Sequence, residues 1–352
     1  MRELLDYLEQ AVADQASDLF IVAGGPVSEK MDGRLRPISG EKVFPGETER
    51  LIMGLYAMAD RSMEQYRETG DDDFSFAVPG LARFRVNAYR QRGALAAVVR
   101  IVAFDIPDYR ELHIPEEVME LADVSHGMVL FTGVAGSGKS TTQACLIDRI
   151  NRTPEAHIIT LEDPIEYLHR DQRSIVSQRE IAIATTDYLS ALRACLRQAP
   201  DVILLGEMRD HETIRTAMTA AETGHLLIAP LHTNGAVNTI DRIIDSFPPA
   251  QQAQIRVQLS MVLHTVVSQR LLPDRESGMV PACEIMHMTP AIRSMIRDCK
   301  SHQIDNAIAA GGGEGMCTMD QSILELYRRG QITRETALDY ADTPEQMLRR
   351  LG

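Results

Sequence analysis

The sequence contains no tryptophan, only 5% aromatic residues and no cysteine pair at CxxC spacing. It also lacks any apolar run near the roughly 20 residues that a bilayer-spanning helix needs. Without such a run, no transmembrane segment is expected. The five cysteines, Cys145, Cys195, Cys283, Cys299 and Cys317, are odd in number and widely scattered. They imply neither a disulfide framework nor a cysteine zinc site, and reduced, largely buried thiols are the plain expectation. Basic residues are outnumbered, 36 Lys and Arg against 50 Asp and Glu, for a formal charge of −14. Phosphate neutralisation needs a basic surface, so this balance argues against a general nucleic-acid binder. The segment Met1 to Leu8 is acidic and amphipathic, with no apolar h-region or cleavage site, and a cytoplasmic protein is expected.

At 352 residues the chain exceeds one ordinary core, and two domains are expected. Residues 1–103 read as a mixed α+β domain. They hold a helix over 2–14, a short strand from Asp18, a hairpin around Met31-Asp32-Gly33-Arg34, and helices near 47–58 and 60–68. Strands at 83–89 and 94–102 complete an antiparallel sheet. Residues 104–114, broken by Pro107 and polar residues, read as a linker. In 115–270 the pattern becomes α/β, with apolar runs at 127–132, 157–161, 202–205 and 226–229 that suit strands buried on both faces of a parallel sheet. Residues 271–352 read as mostly helical apart from a strand at 279–286, with Gly311 to Gly315 as a flexible break.

The strongest motif is Gly133-Val134-Ala135-Gly136-Ser137-Gly138-Lys139-Ser140, a Walker A phosphate cradle between an apolar strand and a helix. Its glycines turn backbone N–H groups inward, and Lys139 adds a point charge for the β/γ oxygens. Ser140 is placed to hold Mg²⁺, and Thr141 opens a helix whose N-terminus favours anions. These parts predict an ATP site. Glu207 follows the apolar run 202–205 at a Walker B position, but Gly206 stands where an aspartate is usual. Glu207 is expected to act on Mg²⁺ through water. Glu162, Asp163 and Glu166 gather behind another strand, where a carboxylate can align or deprotonate an attacking water. His225 and His232 bracket an apolar strand at odd separation, which disfavours a metal pair and leaves structural hydrogen bonding or phosphate sensing open. Arg83, Arg85, Arg90, Arg92 and Arg100 read as a solvated sheet face or as arginine fingers.

Together, in this order, these motifs resemble the secretion ATPase superfamily, and in particular its type IV pilus retraction branch. The similarity extends to Ser17-Asp18-Leu19, Arg83 to Asn87, Glu162 to Glu166, Gly206 to Asp210, Ala220 to His225 and Leu231-His232-Thr233. The segment Pro290 to Arg297, followed by His302-Gln303-Ile304, is similar to the signature of the retraction branch. The resemblance implies a PAS-like N-terminal domain followed by a RecA-like P-loop ATPase domain with a C-terminal helical region. It implies a homohexameric ring in which nucleotide lies between the two domains of a subunit. Glu166 then matches the catalytic base, Glu207 the Walker B glutamate, and His225 and His232 the pair coupling nucleotide state to motion. Arg85 and Arg100 match arginines that reach toward the phosphates. ATP and Mg²⁺ are implied, as is a place in the pilus machinery beside an inner-membrane platform protein. The chain departs from the family pattern at Val134-Ala135, Ala229-Pro230 and Ser294-Met295, without losing a catalytic group.

The rival within the superfamily is a pilus-assembly or type II secretion ATPase. The resemblance gives those an additional N-terminal region and a tetracysteine zinc module, and neither is seen in these residues. A RecA-like nucleic-acid motor is the rival from another class, and it needs a basic strand-binding groove. A purely ATP-sensing regulator is a third reading.

Overall fold

The computed structural model describes residues 3–31, 33–102, 106–153, 155–181, 183–276 and 278–351. Asp32 of the expected hairpin turn and Ala103 to Asp105 at the expected domain junction lie outside these residues. The chain forms two compact units, one built on residues up to 105 together with Glu166–Leu168, the other on Ile106–Ile165 and the residues from 169 onward.

In the first unit, helix α1 (Leu4–Ala13) precedes β1 (Asp18–Ile21), β2 (Pro26–Met31) and β3 (Arg34–Lys42). Helices α2 (Pro45–Met58) and α3 (Glu64–Thr69) lead into β4 (Asp71–Val78), β5 (Ala82–Gln91) and β6 (Ala94–Val102). The six strands form an antiparallel sheet in the order β3-β2-β1-β6-β5-β4. Alternation along β5 buries Phe84, Val86 and Ala88 with Leu8, Leu51, Ile52 and Leu55 of the helices. The opposite face of that strand carries Arg83, Arg85 and Asn87. The core also contains Asp72, whose carboxylate accepts from Tyr56 Oη at 3.1 Å and is gripped by Arg61 at 3.0 and 2.7 Å.

The second unit starts with the short helix α4 (Glu116–Met119) and then β7 (Gly127–Thr132), α5 (Lys139–Arg152), β8 (His157–Glu162) and β9 (Ile175–Glu180). There follow α6 (Tyr188–Cys195), β10 (Val202–Leu205), α7 (His211–Glu222), β11 (Leu226–Leu231), α8 (Ala236–Asp245) and α9 (Pro249–Val262). A hairpin of β12 (Leu263–Pro273) and β13 (Met279–His287) completes a sheet in the order β13-β12-β7-β11-β10-β8-β9. All neighbours are parallel except β12 and β13. Every residue of β7 and β11 is buried, as their continuous apolar runs require. On one face Met128, Leu130 and Ala229 pack with Ala217, Ile240 and Ile243; on the other, Val129, Phe131 and Val267 pack with Leu146, Ile147 and Ile150. Each of the larger side chains among these contributes about 1.5–3 kcal/mol by leaving water, so the strands beneath the site are firmly fixed.

Helices α10 (Pro290–Arg297), α11 (Ile304–Ala310), α12 (Met319–Arg328), α13 (Arg334–Asp339) and α14 (Pro344–Leu351) end the chain. The last three pack on Leu272, Val280 and Ala282 of the hairpin. The glycine run at 311–315 is a hydrogen-bonded 3₁₀ turn rather than the flexible break expected, with Glu314 N and Met316 N both donating to Gly311 O. A Cβ on Gly311 would lie 2.0 Å from Met316 Cε, so a larger residue there would displace the Met316 side chain.

Candidate active site

Because β7, β11, β10 and β8 run parallel, their C-terminal ends open onto one edge of the sheet, the edge where such folds bind ligands. The glycine loop leaves β7 there. Gly133, Gly136 and Gly138 all have positive φ, +141°, +78° and +83°, and this is why the loop can curl back on itself. At Gly133 a Cβ would meet Gln269 O at 2.4 Å and Ser137 Oγ at 2.6 Å. Helix α5 starts at Lys139, so its first-turn N–H groups belong to the loop's concavity. Lys139 is buried, its ammonium donating to the carbonyls of Gly133 and Val134 at 2.7 and 2.8 Å. The charge is therefore held inside the loop by the loop's own backbone. Val134, Ala135, Gly136 and Ser140 are exposed, Ser137 is buried, and Gly138 and Thr141 are half-buried.

Behind β8, Glu162 accepts from Thr160 Oγ1 at 2.5 Å and Gln178 Nε2 at 3.2 Å. The peptide bond between Asp163 and Pro164 is cis, and Ile165 N donates to the buried Glu180 at 3.3 Å. Glu166 follows, exposed and without a hydrogen bond or ion pair among the described residues. Beyond β10, Glu207 pairs with Arg209 at 2.6 Å and is 21% exposed. The missing aspartate at position 206 has a steric reason. A Cβ on Gly206 would sit 2.9 Å from both Leu161 O and Tyr188 Oη. Burial and the nearby Asp163, Glu207 and Glu162 carboxylates push the Tyr188 phenol well above its usual range, so it stays a neutral hydroxyl.

The strand direction separates the two histidines. His232 is exposed at the C-terminal end of β11, where it lines a cavity of about 310 Å³ with Glu207, Arg209, Thr233 and Arg242. His225 lies at the other end of β11, on the edge away from the glycine loop, with Nδ1 2.9 Å from Ala220 O and 3.2 Å from Thr223 Oγ1. It is a local anchor and is not brought to the cradle. Pro230 falls beyond the last pairing of β11 with β10, Ile228 opposite Leu204. Arg85 and Arg100 lie in the first unit, half-buried and exposed, directly opposite one another on β5 and β6. Arg100 Nε donates to Asp18 Oδ1 at 3.0 Å.

Sequence reasoning missed the contribution of β12. Ser268 Oγ accepts from Gly235 N at 3.0 Å, and Glu284, its cross-strand partner on β13, accepts from Ala236 N at 2.8 Å. These two side chains seat the N-terminus of α8 just after His232. Burial raises the Glu284 carboxyl above its usual range. No periodicity marks these polar residues, because their partners lie on distant segments.

The family model for Type II/IV secretion system proteins matches residues 1–340. The type IV pilus retraction ATPase PilT of Pseudomonas aeruginosa is 43% identical over 343 residues, covering 97% of this chain and 99% of its own. A twitching motility protein of Neisseria gonorrhoeae is 43% identical over 319 residues, 90% of this chain and 85% of its own. The crystal structure of the pilus retraction motor PilT with bound ADP superposes with a TM-score of 0.90 at 42% identity, covering 99% of this chain and all of that one. The chain belongs to the Type II/IV secretion system protein family.

Proposed function

We propose that the protein is a Mg²⁺-dependent ATPase that powers retraction of type IV pili, working as a homohexamer. The observation that carries this reading is a complete Walker A cradle on the same sheet edge as Glu207 and His232. It occurs in a chain similar along its length to a retraction ATPase. We read residues 1–103 as a PAS-like domain, 104–114 as a linker, 115–270 as a RecA-like core and 271–352 as a C-terminal region. The parallel order of β7, β11, β10 and β8 supports the RecA-like reading.

In this reading the loop 133–141 wraps the phosphates with backbone N–H groups, and Lys139 exchanges loop carbonyls for phosphate oxygens. Such an exchange replaces one set of charge-assisted bonds by another. The exposed Ser140 hydroxyl and the Glu207 carboxylate are oxygen donors of the kind Mg²⁺ takes, with the remaining positions left to phosphate and water. Bound there, Mg²⁺ would neutralise phosphate charge. Glu166, unpaired in the described structure, accepts the proton of the attacking water. Arg85 and Arg100 offset developing charge, and His232 reports the phosphate state to the loop seated by Ser268 and Glu284. ATP must bind one arrangement of the ring more tightly than another, or no force arises. The partner proposed is an inner-membrane platform protein of the pilus machinery, with this chain cytoplasmic and peripheral at the pilus base.

Phosphate release by purified protein, with Glu166→Gln beside wild type and light scattering for the assembly, tests the reading. Mg²⁺-dependent release by wild type alone, from a particle six times the chain mass, is expected. Equal background rates in both proteins sink the motor. Strong stimulation by single-stranded DNA would favour a nucleic-acid motor instead.

A further inference from the structure

Strand β12 passes beneath the glycine loop, and one residue on it touches both ends of that loop. The backbone oxygen of Gln269 occupies the space a side chain at Gly133 would need, 2.4 Å from its Cβ position. The Gln269 Nε2 atom occupies the space a side chain at Gly138 would need, 2.8 Å away. The same carboxamide accepts a hydrogen bond from Thr142 Oγ1 at 2.9 Å, in the first turn of α5. Gln269 is only 1% exposed and Thr142 equally so, so both polar groups depend on this bond for satisfaction. Residue alternation along the strand turns Ser268 to the α8 face and Gln269 to the α5 face.

We propose that Gln269 is a positioning residue of the nucleotide cradle, holding the start of the loop, its end and the first helical turn in a conformation already suited to phosphate. It touches no reacting atom and acts through Thr142 and the two glycines. A cradle fixed before its ligand arrives loses less conformational freedom on binding. Removing the bond then weakens nucleotide binding more than it slows the bound complex. The inference rests on reading the loop as a nucleotide site.

Gln269→Met keeps length and removes the bond from one side, and Thr142→Val removes it from the other. Binding of N-methylanthraniloyl-ADP, the KM and kcat for ATP, and the melting temperature without nucleotide are measured for both variants and for the double variant. Each single variant is expected to weaken ADP-analogue binding about five- to tenfold, the worth of one buried hydrogen bond. The double variant should be no worse than either single, and KM should rise while kcat changes less than twofold. Losses that multiply in the double variant overturn the inference. So does a lowered melting temperature with unchanged affinity of the folded protein, which would make the bond merely structural. Should Gln269→Met fail to fold, unchanged binding in Thr142→Val alone overturns it. Wild type that does not bind the analogue ends the nucleotide-site reading itself, whereas unaltered variants beside a binding wild type end only this inference.

Discussion

Arg85 on β5 and Arg100 on β6 face each other as a directly opposed pair, and of the two only Arg100 has an acidic partner among the described residues, Asp18. Like charges directly opposite destabilise a sheet. A cost kept at this position fits a functional demand for positive charge. Arg85→Met should therefore leave the melting temperature unchanged or slightly higher while lowering ATP turnover. Calorimetry beside phosphate release checks this, and a less stable variant with full turnover contradicts it.

Gly206 replaces the aspartate usual after a Walker B run because β8 leaves it no room. Gly206→Asp should destabilise the protein by about 1–3 kcal/mol, the range for forcing extra atoms into a packed site. It should not raise the hydrolysis rate. The midpoint of urea unfolding reads the first effect. An unchanged midpoint with faster hydrolysis would show that chemistry, not packing, decides this position.

Three histidines set the acid side of stability. Burial lowers His169 from the ordinary 6.5 to about 4. Burial also lowers His264 and His287, whose Nδ1 atoms flank Thr265 Oγ1 at 2.8 and 2.9 Å. A histidine that stays neutral when folded favours the folded state above its unfolded pKa. That contribution is lost as pH falls, because the unfolded chain then takes up the proton. Each such group steepens the decline by up to about 1.4 kcal/mol per pH unit. For His169 the window runs from 6.5 down to about 4. Unfolding free energy should fall between pH 7 and 5, and His169→Gln should flatten the slope. A slope indifferent to that substitution would remove His169 from the account.

Glu284 works in the opposite sense. Its carboxyl is raised by burial, so ionising it costs the folded state stability at neutral and alkaline pH. Glu284→Gln keeps an oxygen acceptor for Ala236 N while removing the charge. The variant should melt higher than wild type at pH 8, and the gain should vanish near pH 4, where the wild-type carboxyl is protonated. Lower stability at both pH values would mean that the charge itself holds α8.

The cradle was legible because its residues act locally. Glycines with positive φ, a lysine and a helix start are all within eight positions, after a strand whose burial on both faces leaves an unbroken apolar run. The strands at 157–162, 202–205 and 226–231 were legible for the same reason. Strand β12 was not. Its Thr265, Ser268 and Gln269 interrupt the apolar pattern, and they are tolerated inside because His287, Gly235 and Thr142 satisfy them from elsewhere in the chain. The family resemblance matches His225 with His232 as a coupling pair, and the extent of β11 puts the two at opposite ends of that strand. Gly206 likewise looks like a free choice until the backbone of β8 beside it is known.

The central claim is that this ATPase shortens pili, and retraction in living cells tests it most directly. Glu166→Gln is placed at the native locus, surface pili are labelled, and the length of individual pili is followed over time. Cells crowded with pili that extend and do not shorten are expected. Bald cells would make the protein an assembly motor, and pili that retract at the normal rate would rule out a role in shortening them.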